Sequence, residues 1–401
     1  MDLHIKTRLS KALADTSITV TELSKTLEIN RSTLNKFLNG ERVLGLEELL
    51  KVLDFLIPIY SERYNLLKAI SLEYKTIQPL KTMLEIARLN RDPSFEKEII
   101  SIIRKASKQK DREWADFYEI FSNYREGKVD GEQFYSEVIS FKTQSEELQA
   151  YRQYTIAFYY LVIEMNPVKA KLQLEKCKDA IFNLPETLLK KCFKYKWYDQ
   201  MGTLVMKVGT PTEETLEEAR NYFKKALEHS ILDFTNYLTR YNIGTTYQYN
   251  QPMKFYEILN DALEFIKKHG ITIPHEGFYR SVFLPLCLVQ AEEYDRVEIN
   301  SLHILPKALY YSQKGKIEEL QNLIENADKE VSENSFIQYC LGSVKKDIPL
   351  LLKSFVQCIE EYDLLTARYP MNELLSMGFT QDMLESIIQL KFNQGRLQMF
   401  H

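Results

Sequence analysis

A chain of 401 residues is too long for one compact core and requires two or three domains or a repeat array. With only 13 glycines and 12 prolines it favours helices nearly throughout. A formal net charge of −4 excludes a partner gripped by the charge of the whole protein, so a nucleic acid must be met by a local surface.

Residues 3–14 read as an amphipathic first helix with Ile5, Leu9 and Leu13 on one face. The stretch Thr19 to Gly40, TVTELSKTLEINRSTLNKFLNG, then carries the signals of two short helices joined by a turn. Thr19 and Glu22 make a capping box, and Leu23 and Leu27 recur at i, i+4 on the inner face. Ser24 is small enough for the next helix to cross closely. Glu28 and Ile29 form the turn, and Asn30 caps the second helix. Leu34 and Phe37 of that helix point to the core, and Asn39-Gly40 ends it. A leucine-rich helix from Leu46 to Leu56 completes a small domain at residues 1–58, which Pro58 closes.

This arrangement resembles the lambda-repressor-like helix-turn-helix, in which the second helix enters the major groove. The resemblance makes Arg31, Ser32 and Asn35 the base readers. Arg31 suits guanine and Asn35 suits adenine. Lys36, Arg42 and the Thr21 hydroxyl are expected on phosphates. Glu28 departs from the motif, which often has glycine there. Residues 1–60 hold eight Lys and Arg and eight Asp and Glu, so one head binds weakly and a dimer on two half-sites is expected.

Residues 59–75 read as a helical connector, and residues 76–365 as helix pairs of tetratricopeptide size. The clearest is Arg240 to Phe265, with Ile243, Gly244 and Tyr247 at close-packed positions, and a second is Ile304 to Ala327. Weaker units cover Leu80 to Ala106, Trp114 to Phe141, Glu147 to Ile181, Leu188 to Leu227 and Phe336 to Ile359. The fold expected is all-α, a helix-turn-helix head followed by a superhelical array whose concave face holds peptides. Most tyrosines and phenylalanines read as inter-repeat core. Residues 366–401 depart from the repeat pattern. Met383, Leu384, Ile387, Ile388 and Leu390 are placed either to cap the array or to pair two chains.

The five cysteines, Cys177, Cys192, Cys287, Cys340 and Cys358, are odd in number, form no C-x-x-C pair and read as buried thiols in a reducing cytosol. No apolar leader and no run of eighteen apolar residues is present, so a cytoplasmic protein with no membrane role is expected. No cofactor is expected. Phosphate loops, dinucleotide fingerprints, nucleophile elbows and zinc-protease motifs are absent, and His275-Glu276 lacks a second histidine at i+4, which argues against an enzyme.

A helix-turn-helix followed by such an array resembles the peptide-sensing RRNPP regulators of Gram-positive bacteria, their plasmids and phages. Within that group the chain is similar to arbitrium receptors. The stretches that carry this are ARNYFKKALEHSILDF, YLTRYNIGTTYQYN and RYPMNELLSMGFTQDMLESI. The resemblance implies a homodimer paired through C-terminal helices, an inverted-repeat DNA operator, and a short signalling peptide that repositions the heads during the choice between lysis and lysogeny. Thr245 stands where arbitrium receptors tend to carry Asn. Helical spacing puts Leu238, Tyr241, Asn242, Thr245 and Gln248 toward the concave side. Asn242 is the favoured peptide contact, framed by Tyr241 and Gln248, with Arg240 or Arg280 supplying charge for a terminal carboxylate. The alternative for Asn242 is a tie between neighbouring repeats. The alternative for the whole chain is a tetratricopeptide adaptor or response-regulator inhibitor working through protein contacts alone.

Overall fold

The computed structural model describes residues 2–209, 212–273 and 276–397, and among these it contains helices and no strand. The head is built from α1 (Leu3–Asp15), α2 (Val20–Thr26), α3 (Arg31–Leu38) and α4 (Leu46–Leu56). The capping box forms: the Glu22 amide donates to the Thr19 hydroxyl at 3.2 Å, and the Thr19 amide donates to Glu22 Oε2 at 2.8 Å. The bond from the Thr19 amide holds the Glu22 carboxyl below its ordinary range. Asn30 accepts the Thr33 amide at the start of α3. Gly40, at φ 78°, ends α3 by returning its own amide to the Phe37 carbonyl and that of Glu41 to Lys36. Leu9, Leu23, Leu34, Phe37, Leu49 and Leu53 are fully buried. On α1 it is Ala12 that is buried, while Leu13 is only partly covered.

The turn into α3 holds Glu28 at φ 56°, the left-handed region in which a Cβ crowds the backbone. The glycine common at such turns would carry no such strain.

Past Pro58, α5 (Tyr60–Ser71) leads into the array. Among the described residues seven helix pairs follow the expected order. They are Ile77–Leu89 with Pro93–Ile103, Gln109–Arg125 with Gly131–Ser140, Glu146–Phe158 with Pro167–Phe182, Leu188–Val208 with Glu213–His229, Asp233–Thr245 with Pro252–Lys268, Ile304–Gln313 with Ile317–Glu325, and Ser335–Lys345 with Ile348–Glu360. Close packing inside the pairs is tight enough to demand glycine. A Cβ on Gly244 would lie 3.0 Å from both Ile258 and Phe255, and one on Gly202 would lie 2.6 Å from the Phe223 ring. The aromatic residues largely fill the core, with the Tyr151 ring stacked on Phe193 at 4.9 Å. All five cysteines are buried free thiols.

The regular pairing breaks between Lys268 and Ile304. That stretch holds a π-helical turn at Tyr279–Phe283, the helix Leu284–Gln290 and two short 3-10 turns. Pro274 and His275 lie outside the described residues. The chain ends by folding back: Leu364–Ser376 packs on Leu188–Val208, and Gln381–Leu397 packs on Pro167–Phe182. Leu384 and Ile388 are buried against Leu351 and Phe355, whereas Met383 and Leu390 are exposed. The last helix thus caps the array with one stripe and leaves another open. Among the described residues no helix is long and apolar enough to cross a membrane.

Relief of the strained turn gives a first prediction. Glu28→Gly should raise stability by up to about 1 kcal/mol in denaturant melts, since the left-handed conformation is roughly that much easier for glycine. A loss of stability would contradict the strain.

Candidate nucleic-acid interface and sensing cleft

The outward face of α3 presents Arg31, Ser32, Asn35 and Lys36, all exposed. Their spacing at i, i+1, i+4 and i+5 gathers them on one side of the helix, opposite buried Leu34, Phe37 and Leu38. Arg42 is exposed in the loop that follows, and Thr21 is half-buried on α2. Among the described residues none of the Arg31, Ser32, Asn35, Lys36 or Arg42 side chains is engaged in an intramolecular hydrogen bond or ion pair. The face is therefore donor-rich and unspent, with the positive end of the α3 dipole beside Arg31.

The residues expected to sense a ligand do not share one face. Asn242 donates to Asp199 Oδ1 at 3.2 Å, reaching back to the Leu188–Val208 helix, and Thr239 donates to the same oxygen at 3.1 Å. Burial pushes the Asp199 carboxyl up to about 6, against the bonds from Asn242 and Thr239 that hold it down. Tyr241 points the other way, with its ring 5.0 Å from Tyr279 and 6.3 Å from Phe255. The Thr245 hydroxyl returns to the Asn242 carbonyl on its own helix. Arg240 lies about 200° around the helix from Asn242. It bonds Asn236 and borders a separate cavity of about 430 Å³ with Leu227, Tyr237, Ile258 and Phe265. Arg280 is bonded to Glu276 and Glu264 on a third surface.

Gln248 leads into Tyr249, whose ring meets that of Tyr369 edge-on at 4.8 Å, which places the turn after the Asp233–Thr245 helix against the returning C-terminal helix. Between them opens a cleft of about 500 Å³ lined by Tyr249, Asn250, Gln290, Ser312, Tyr339, Ser343 and Tyr369. Tyr369 donates to Gln290 Oε1 at 2.6 Å, and Gln290 donates to the Tyr249 carbonyl at 2.8 Å. Beside this wall sits Arg368, 7% exposed, with one bond to Asn250 and an ion pair to Glu213 at 3.7 Å. Its Nε and Nη1 are buried without a hydrogen-bond acceptor, and burial lowers its pKa. Sequence reasoning missed this cleft. The only local signal was the density of tyrosines and amides in TTYQYNQP. Hydroxyl and amide walls of this kind suit a ligand with many backbone N–H and C=O groups to satisfy.

Several comparisons place this architecture. A family model described as AimR transcriptional regulator-like matches residues 63–376, and one described as a Cro/C1-type HTH DNA-binding domain matches residues 8–56. The structure of SeMet-phAimR is similar over 96% of this chain and 100% of its own, with a TM-score of 0.74 and 18% identity. The structure of phAimR-Ligand covers 84% of this chain and 98% of its own at a TM-score of 0.57 and 19% identity. A fainter likeness, with a TM-score of 0.39 and 13% identity over 66% of this chain and 96% of its own, is to Bacillus thuringiensis PlcR in complex with the peptide PapR7 and DNA. No curated protein sequence matches. The family match runs from the connector helix to the C-terminal fold-back, and with well over half of its length so covered, the chain belongs to the AimR transcriptional regulator-like family.

Proposed function

We propose that this DNA-binding regulator has its operator occupancy set by a short signalling peptide held in the array, and that it governs the choice between lysis and lysogeny of a phage in the bacterial cytoplasm. The observation that carries the DNA half is the unspent face of α3, where Arg31, Ser32, Asn35 and Lys36 stand exposed together. The peptide half is supported by the family, by the ligand complex of phAimR, and by the amide- and hydroxyl-lined cleft next to Gln248. The ligand strip we assign runs from Asn242 to Gln248 and on to Tyr369. Arg368, with its unmet donors, is better placed there for a carboxylate than Arg240 or Arg280, which lie on other faces.

For DNA, Arg31→Ala and Asn35→Ala should each lose about 1–3 kcal/mol on the cognate operator and relax preference at one base pair, while Lys36→Ala weakens all sequences alike. Quantitative gel shifts on genomic fragments read this out. Wild-type binding by all three variants would remove α3 as the reader and favour a protein-docking adaptor.

For the peptide, the short reading frame adjoining the gene supplies the probe. Asn242→Ala should weaken it about tenfold in calorimetry, the loss of roughly one hydrogen bond to a buried backbone group, with melting and operator binding near wild type. Early melting with normal peptide affinity would make Asn242 only a tie to Asp199.

We also assign dimerisation to the open stripe of the last helix. Leu390→Glu should sediment as a monomer and bind an inverted repeat poorly while melting normally, because that side chain is 65% exposed in the single chain. A dimer that survives Leu390→Glu together with Met383→Glu would place the interface elsewhere.

A further inference from the structure

We propose that Arg63 on α5 is the coupling residue that transmits the position of the sensing helix to the DNA-binding head. This rests on the peptide-regulated reading and supplies its route. The Arg63 side chain is 11% exposed and holds three groups at once. Its Nε pairs with Asp54 on α4 at 3.1 Å, its Nη1 donates to the Ile57 carbonyl at 3.3 Å, and its Nη2 pairs with Asp233. One guanidinium thus joins the last turn of the head's final helix to the first residue of the helix that carries Asn242. A planar fork that spans two carboxylates fixes their relative placement in a way a single point charge does not.

A second link runs parallel to the first. The Ser61 amide donates to the His269 carbonyl at 3.3 Å, and a Cβ on Gly270 would lie 3.0 Å from Ser61 Oγ. The end of the Pro252–Lys268 helix therefore abuts α5 beside Arg63. Other polar ties of α5 go to the head through Arg8 and Glu62 and to the first repeat through Lys68 and Asp92 at 2.9 Å and through Tyr60 and Asn90.

Between α5 and the sensing repeat lies a cavity of about 490 Å³, bounded by Tyr60, Tyr64, Asn90, Phe234 and Ile271. Close-packed apolar surfaces resist small shifts. Here the apolar contact is narrow, Tyr60 and Tyr64 against Phe234 and Ile271 beside the cavity, and the directional polar links next to it are what a rigid helix can tug or release. Asp233 sits on the positive end of its helix dipole, so axial movement of that helix carries the carboxylate with it and Arg63 follows.

Hydrogen exchange on the full-length chain, with neither DNA nor peptide added, tests the link. Asp233→Asn should speed exchange about fivefold in Leu46–Leu56, and Arg63→Met should do the same in Asp233–Thr245, each acting on the helix that the substitution does not touch. Lys68→Met, which cuts an ion pair to the first repeat and none to Asp233, should leave Asp233–Thr245 unchanged. Should Arg63→Met fail to fold, Arg63→Lys must show the same cross-effect in weaker form. Effects confined to the substituted segment, in a folded protein, overturn the proposal. Because the experiment contains no ligand, that result would leave the functional reading standing, and lost gel shifts would leave the coupling standing.

Discussion

The constraint on which the structure depends is a single apolar core that runs from Ile5 in the head to Leu232 at the edge of the Asp233–Thr245 helix. Helices α1 to α5, the first three repeat pairs and the Leu188–Val208 helix share it. Each fully buried leucine or phenylalanine in it contributes about 1.5–3 kcal/mol relative to exposure. The head is therefore not a bead on a flexible tether, and its placement cannot change by a loose swing of residues 59–75. The second half of the chain is built differently, from smaller separate clusters around Phe255, Leu309 and Phe355. The seam falls at the start of the Asp233–Thr245 helix: Leu232 belongs to the first core, and Phe234, two residues on, to the second. A ligand that bends the array has its softest point there, because stacked repeats contact only their neighbours.

Closure by the C-terminal helices bears on the same seam. Leu364–Ser376 rests on Leu188–Val208 and offers Tyr369 to Tyr249 and Gln290, so a cleft that an open superhelix would leave wide becomes bounded on both sides. Arg368 is drawn into this contact with Nε unmet and Nη1 facing only the Glu213 carboxylate at 3.7 Å. Buried cations with spare donors are uncommon because each carries a desolvation penalty.

Much of the head was legible because its signals are local. Thr19 with Glu22, Asn30, and Asn39-Gly40 act within four residues of themselves, and the capping distances follow from chain geometry alone. The helix pairs were legible for a similar reason, since Gly244 and the 3.6-residue period record close packing directly. The face assignments were not. Spacing grouped Tyr241 with Asn242, and Arg240 was added for its charge, yet a repeat helix has neighbours on three sides, and only the packing shows that Asn242 meets Asp199 while Tyr241 meets Tyr279 and Arg240 a different cavity. The π turn at Tyr279–Phe283, the break between Lys268 and Ile304, the close approach of Gly202 to Phe223 and the C-terminal fold-back depend on contacts far apart in sequence. No local pattern announces them.

The central claim is that one molecule reads DNA and peptide together, and thermodynamic linkage tests it most directly. Operator affinity measured with and without the peptide of the adjoining reading frame must change by the same factor as peptide affinity measured with and without operator. The account predicts equal factors, of about 5 to 150 for coupling through a packed array. Peptide that binds tightly while operator leaves its affinity unchanged would contradict it.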